Sequence, residues 1–207
     1  MRLINQGMAK TSANILLFLF AFSCATIPEL KVHYQLPRAS DNLEGKRVYL
    51  AFEDARKTQE MFGTAAKQEF GNYVGNISFS VARHNEPGFK IGPFKLTDMV
   101  KEGFKRRFEN ARLEVLSVKS ATEPQILIVL NEFMIDLVDR KWVAKMAYEA
   151  RLMKDGKTLS SQIISGEAER LKLIGRREAD TVSGEIFTDM INRLDLLRLF
   201  QQGNLMG

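Results

Sequence analysis

Apolar and polar positions alternate with a period of two over residues 47–54, RVYLAFED, where Val48, Leu50 and Phe52 fall on one side and Tyr49 and Glu53 on the other. Such alternation predicts a strand with one buried face. ISFSVAR, residues 77–83, repeats the pattern. The period changes at 96–111. Leu96, Met99, Val100, Gly103, Phe104 and Phe108 fall along one helical side, and Asp98, Lys101, Glu102, Lys105 and Glu109 along the other, which predicts an amphipathic, sheet-packing helix. Gly103 on the apolar side lowers helix propensity by about 1 kcal/mol relative to alanine, so a close approach to a sheet is expected there. LEVLSV at 113–118 predicts a short strand, and ILIVLNEFMIDLVD at 126–139, rich in β-branched residues and free of breakers, a long buried one. A tight turn at Asp139-Arg140 leads into a strand at 142–153, and Lys154-Asp155-Gly156-Lys157 carries an Asp-Gly hairpin signal before a return strand at 158–173. Val182, Ile186, Phe187, Met190, Leu194 and Leu197 then recur at helical spacing to the end of the folded chain. Between these elements, residues 55–75 predict a long loop with a helical turn near 62–70, and the glycine and proline cluster at 87–93 a chain break. The resulting fold class is α+β: an antiparallel or mixed sheet with two amphipathic helices packed on one face.

The first thirty residues follow a different logic. Residues 1–12 are polar with two positive charges and no acid, residues 13–22 are apolar apart from Asn14, and small residues surround the single cysteine, Cys24. This is the three-part layout of a secretory signal. The apolar run is about half the ~20 residues a spanning helix requires. Ala21-Phe22-Ser23-Cys24 resembles the cleavage box of a bacterial lipoprotein signal, with Ala21 in place of the usual leucine and Phe22 bulkier than the pattern prefers. The resemblance implies cleavage between Ser23 and Cys24 and lipidation of the Cys24 thiol, and two or more acyl chains hold a soluble body on a bilayer where one does not. Ala25 rather than aspartate after the cysteine implies release to the outer membrane, facing the periplasm. Two other readings stand beside this one: secretory cleavage after Ala21-x-Ser23 to leave a soluble periplasmic protein, and a structural cysteine on a hydrophobic helix. The expected organisation is a signal peptide at 1–23, a lipidated N-terminus and flexible tether at 24–45, one domain at 46–200, and a tail at 201–207. Pro28 and Pro37 interrupt the tether, with Val32, Tyr34 and Leu36 alternating as a short edge strand.

Composition narrows the chemistry. At 207 residues, 45% hydrophobic and 27% charged, the chain fits one ordinary globular domain. The net charge of +5 falls to +3 without Arg2 and Lys10, too mild for nucleic acid, which selects a concentrated basic face. One cysteine excludes an internal disulfide, and His33 and His84 have no metal-ligand spacing, so no metal and no cofactor is expected. Glu167 and Glu169 lie two apart on a strand, as an acid and base could, but exposed charges on an open sheet face explain them and equally Asp136 and Asp139. Lys105-Arg106-Arg107 beside Phe104 and Phe108 reads as a solvated helix face, with the rings turned to the core, and a contact with anionic headgroups is the alternative. Ser165 and Ser183 precede Gly-Glu outside any nucleophile elbow, and Trp142 reads as a core or interface anchor. No catalytic residue is expected.

Taken together, the lipobox-like Cys24, the first strand leading into Asp54-Ala55-Arg56, the helix feeding a strand, the Lys154 to Lys157 hairpin followed by Ser165-Gly166-Glu167, and the terminal helix make the chain resemble the YajG-type family of small envelope lipoproteins over about residues 24–200. The layout is also similar to auxiliary lipoproteins of lipid-transport systems and to the N-terminal domain of TolB-like periplasmic proteins. What the resemblance implies is a membrane-tethered, non-enzymatic interaction module with an envelope protein as partner. The alternative is an auxiliary lipoprotein that shelters a lipid or small hydrophobic ligand between sheet and helices.

Overall fold

The computed structural model describes residues 28–206. The breaker-free run at 126–139 and the hairpin that follows it become the longest strands, and the alternating stretches at 47–54 and 77–83 shorter ones. β1 (Leu30–Gln35), β2 (Arg47–Asp54), β3 (Ile77–Ala82), β4 (Phe89–Phe94), β5 (Glu114–Leu116), β6 (Gln125–Val138), β7 (Lys141–Lys154) and β8 (Lys157–Leu171) are joined by α1 (Thr64–Phe70), α2 (Leu96–Asn110), α3 (Arg177–Arg193) and α4 (Leu196–Gln202).

β5, β2, β6, β7 and β8, in that order, form a five-stranded sheet. β2 runs parallel to both of its neighbours, and β6, β7 and β8 make an antiparallel meander. The two meander turns have the expected chemistry. Asp139 and Arg140 adopt φ of 47° and 64°, and Asp155 and Gly156 φ of 52° and 75°, the left-handed pairs whose twist suits a two-residue hairpin. On the inner face, Trp142, Ala144, Met146, Tyr148, Ala150 and Leu152 of β7 are wholly buried, as the period of two requires.

The fold class is α+β with mixed sheets and helices packed on a sheet face, and the helices gain a second cover. β1, β3 and β4 form a separate three-stranded sheet, with β1 parallel and β4 antiparallel to β3. α2 touches β2 and β5 of the large sheet and β3 and β4 of the small one, while α3 touches β7 and β8 on one side and β1 on the other. Phe187 of α3 marks this middle layer, meeting Tyr34 and Phe79 of the small sheet edge-on at 5.5 and 5.4 Å. Gly103 does provide a close approach, but to a helix: a Cβ there would lie 2.6 Å from Phe187 Cζ and 2.9 Å from Ile191 Cδ1 of α3.

Four sequence expectations change. The tether expected at 24–45 is core from residue 30 onward, with Leu30, Val32, Tyr34, Leu36 and Leu43 all buried; residues 24–27 lie outside the described residues. The alternation of Leu30, Val32, Tyr34 and Leu36 outweighs the prolines around them. The break expected at 87–93 contains β4, in which Pro93 is tolerated because β4 is an edge strand with no second ladder to feed. The terminal helix is two helices. Leu194 turns extended, and the Asp195 carboxylate accepts the Arg198 N–H at 2.9 Å to cap α4. The tail at 201–207 also belongs partly to the body, since α4 reaches Gln202 and Leu205 packs against the core.

Candidate functional site

β1 is an edge strand, and an open edge presents unpaired N–H and C=O groups. α3 closes it with one row of residues spaced by four. Asp180 accepts the Lys31 N–H at 2.8 Å, Thr188 Oγ1 accepts the Gln35 N–H at 3.1 Å, and Asn192 Nδ2 donates to the Gln35 carbonyl at 2.9 Å. Gly184 completes the row. A Cβ there would sit 2.9 Å from the His33 carbonyl oxygen and 3.2 Å from its nitrogen, so only glycine lets the helix axis come this near to the strand. The seam borders an open groove that includes His33, Thr181, Glu185 and Asp189. Burial pushes the Asp180 carboxyl above its ordinary range, with the Lys31 N–H and the charges of Lys31 and Arg176 opposing. The seam fixes the direction of the N-terminus: the start of β1 lies beside the start of α3.

A second polar group lies inside. Arg107 of α2 has its Nε buried without a hydrogen-bond partner, and burial lowers its pKa while Tyr34, Tyr148 and Asp195 act against that. Tyr34 donates to Asn192 Oδ1 at 3.0 Å and Tyr148 to the Met190 carbonyl at 2.9 Å. Burial holds both phenols well above the usual tyrosine range, so they stay neutral donors. The two tyrosines tie α3 to both sheets.

The residues singled out from sequence do not converge. Cys24 and Ser23, the lipidation and cleavage residues, lie outside the described residues. Glu167 pairs with Lys145 at 2.9 Å and Glu169 with Lys141 at 2.7 Å on the outer sheet face. Asp136 caps α1 across the fold, its Oδ1 accepting the Ala66 and Leu137 N–H groups at 3.1 and 2.8 Å, and Asp139 forms the hairpin turn. Ser183 Oγ donates to the Ala179 carbonyl at 2.7 Å, which satisfies it within its own helix. Lys105 and Arg106 pair along α2 with Glu109 and Glu102, and Phe104 and Phe108 are buried, so the stretch offers no ring to a base. Trp142 is buried against Phe70 at 5.9 Å. His33 meets Ser80 and His84 meets Arg38. Among the described residues, no three His, Cys, Asp or Glu side chains gather as a metal site, and no helix is long and apolar enough to cross a membrane.

Sequence reasoning missed the seam and the far end of β8. The first left a faint signal in the four-residue spacing of Asp180, Gly184, Thr188 and Asn192. The second left a plainer one in LKLIGRR at 171–177, apolar residues running past the strand into a turn.

No protein-family model matches the chain, and no curated protein does. Among solved structures, a Xanthomonas campestris protein of family DUF330 is similar over 85% of this chain and 97% of its own, at 14% identity and a TM-score of 0.56. A hypothetical protein of Chlamydia trachomatis (9% identity, 76% of this chain and 98% of its own, TM-score 0.38) and a lipoprotein of Neisseria meningitidis (13% identity, 68% and 95%, TM-score 0.29) match more loosely. At such identities the Xanthomonas likeness establishes a shared fold and nothing finer.

Proposed function

We propose that Cys24 carries a lipid anchor and that the folded body is a non-enzymatic interaction module of the bacterial cell envelope, held at the outer membrane on its periplasmic side with an envelope protein as partner. One observation carries this reading. The chain's single cysteine follows an apolar run and stands six residues before Leu30, the first wholly buried side chain of β1. A thiol there precedes the first strand in the sequence, and six residues span at most about 20 Å, so an acyl chain on it would keep the body close to the leaflet. The resemblance of the sequence to YajG-type lipoproteins would agree with the same reading.

The alternative, a lipid or hydrophobic ligand between sheet and helices, finds less support. Phe187 and Ile191 pack against Gly103 at contact distance, and the Met190 methyl lies where a Cβ on Gly166 of β8 would be 2.5 Å away. At these two places the helix layer is filled by its own side chains, and the open space between α2 and the sheet is lined by the charged Asp98, Lys101, Glu102 and Lys105 as well as by Leu50, Val115 and Leu116.

Metabolic labelling with an alkyne analogue of palmitate tests the anchor. The wild-type chain should take the label into the membrane fraction and Cys24→Ala should take none; equal labelling of the two defeats the proposal. Crosslinking in intact cells would then identify the partner.

A further inference from the structure

The end of the molecule where the described residues begin also carries a group of apolar side chains that stand in solvent, apart from scattered ones such as Val118 and Ile163. Leu171, Leu173 and Ile174, at the end of β8 and in the turn beyond it, are 62%, 76% and 84% exposed. Val138, 48% exposed, is their neighbour: it pairs with Lys141, which pairs with Leu171. The Lys172 N–H donates to the Arg140 carbonyl at 2.8 Å, which joins this turn to the β6–β7 hairpin.

The same end holds the start of the described residues. Lys172 pairs with Glu69 at the end of α1, the Arg176 guanidinium lies 5.3 Å above the Phe70 ring, and Phe70 is 5.9 Å from Tyr73. Tyr73 and Asp180 both feel the charge of Glu29, the residue before β1. The chain therefore enters the fold beside the exposed turn and away from the Asp155-Gly156 hairpin at the other end of the meander.

Five cations of the turn and hairpin at this end divide into two sets, and Lys31 stands beside Asp180. Lys141 is held by Glu169 with Asp139 nearby, Lys172 by Glu69, and Arg176 by Phe70 with Asp180 nearby. Arg140 and Arg177 hold no ion pair among the described residues.

We infer that this end is a membrane-contact surface: Leu173 and Ile174 enter the headgroup boundary of a phospholipid leaflet, Leu171 and Val138 lie against it, and Arg140 and Arg177 meet lipid phosphates. Exposed aliphatic side chains gain by leaving water at the acyl boundary, and flanking guanidiniums suit phosphate. The identity of the leaflet rests on the envelope reading above, whereas the contact itself needs no acyl group on Cys24. With such an anchor the body would have one orientation, with this end down and the Asp155-Gly156 hairpin pointing away from the bilayer.

The test uses the full chain with Cys24→Ala, so that a bimane on Ile174→Cys is the only label and its result is independent of lipidation. With vesicles of phosphatidylethanolamine and phosphatidylglycerol, bimane at 174 should shift to the blue and be quenched by brominated acyl chains, while bimane on Leu159→Cys, at the other end of β8, stays in water. Leu173→Asp added to the 174 label should abolish the shift with the circular dichroism unchanged, since both positions are exposed, and Arg140→Glu with Arg177→Glu should weaken it. Three results would overturn the inference: a label at 174 that stays aqueous, equal quenching at 174 and 159, or a shift without vesicles that grows with protein concentration, which would assign the face to a second copy of the chain.

Discussion

Gly184→Ala in α3 sets two known effects against each other. In a helix interior, alanine gains about 1 kcal/mol over glycine from propensity alone. Here the added Cβ would lie 2.9 Å from the His33 carbonyl oxygen and 3.2 Å from its nitrogen, and the obstruction is strand backbone that cannot rotate aside. Overpacking of this kind costs about 1–3 kcal/mol. If α3 withdraws instead, the bonds from Asp180, Thr188 and Asn192 to β1 lengthen, each contributing about 0.5–1.5 kcal/mol. The sum favours glycine by up to about 2 kcal/mol, equivalent to at most about 4–8 °C in melting temperature for a chain of this size. Thermal and urea melts of the two proteins should show this loss. Gly166→Ala serves as the comparison, because its Cβ would meet chiefly the flexible end of Met190, and its change should be the smaller. A Gly184→Ala protein stabilised by ~1 kcal/mol, as propensity alone dictates, would refute the sealed edge of β1.

Further outcomes follow from the same packing. Phe187→Ala, which empties the layer between Tyr34, Phe79 and Gly103, should cost about 3–5 kcal/mol in a urea melt, and a loss under 1 kcal/mol would show that the two sheets do not depend on this ring. Asp136→Ala removes the acceptor for the Ala66 and Leu137 N–H groups; a loss of about 1 kcal/mol is expected, with faster hydrogen exchange confined largely to α1. The Arg56 guanidinium, 2.8 Å from the Asp54 carboxylate, holds that carboxyl below its usual range. A carboxyl depressed by folding adds stability above its unfolded pKa and loses it as pH falls through the folded value. Arg56→Leu should therefore be less stable than wild type at neutral pH, and the gap should narrow on acidification below the ordinary aspartate range; a gap independent of pH would remove Asp54 from the explanation.

The parts of the fold legible in the sequence are those whose signals are local. Asp155-Gly156 fixes a hairpin by backbone conformation, and the even-numbered run from Trp142 to Leu152 is buried as its alternation requires. β1 was harder to weigh because Pro28 and Pro37 bracket only four alternating positions, and its burial depends on β3, some 45 residues away, and on α3, about 150 residues away. The seam is similar in kind: Asp180, Thr188 and Asn192 read as a helix's polar face, and only the placement of β1 turns them into partners for strand backbone. The break of the last helix was visible in Asp195, a capping residue, but Leu194 and Leu197 continue the apolar period across it. Glu167 and Glu169 share one face as their spacing demands, and Lys145 and Lys141 across the ladder explain them without catalysis. Leu173 and Ile174 stayed hidden because an apolar residue after a strand is ordinarily read as more strand, and its exposure is a property of the finished end.

The anchor at Cys24 is the claim on which the cellular account turns, and the intact mass of the protein extracted from cell membranes addresses it most directly. The account requires a chain that begins at Cys24 and is heavier than its amino acids by a diacylglyceryl group and a further acyl chain. A mass equal to the unmodified chain, whether it begins at Met1 or at Cys24, would contradict it.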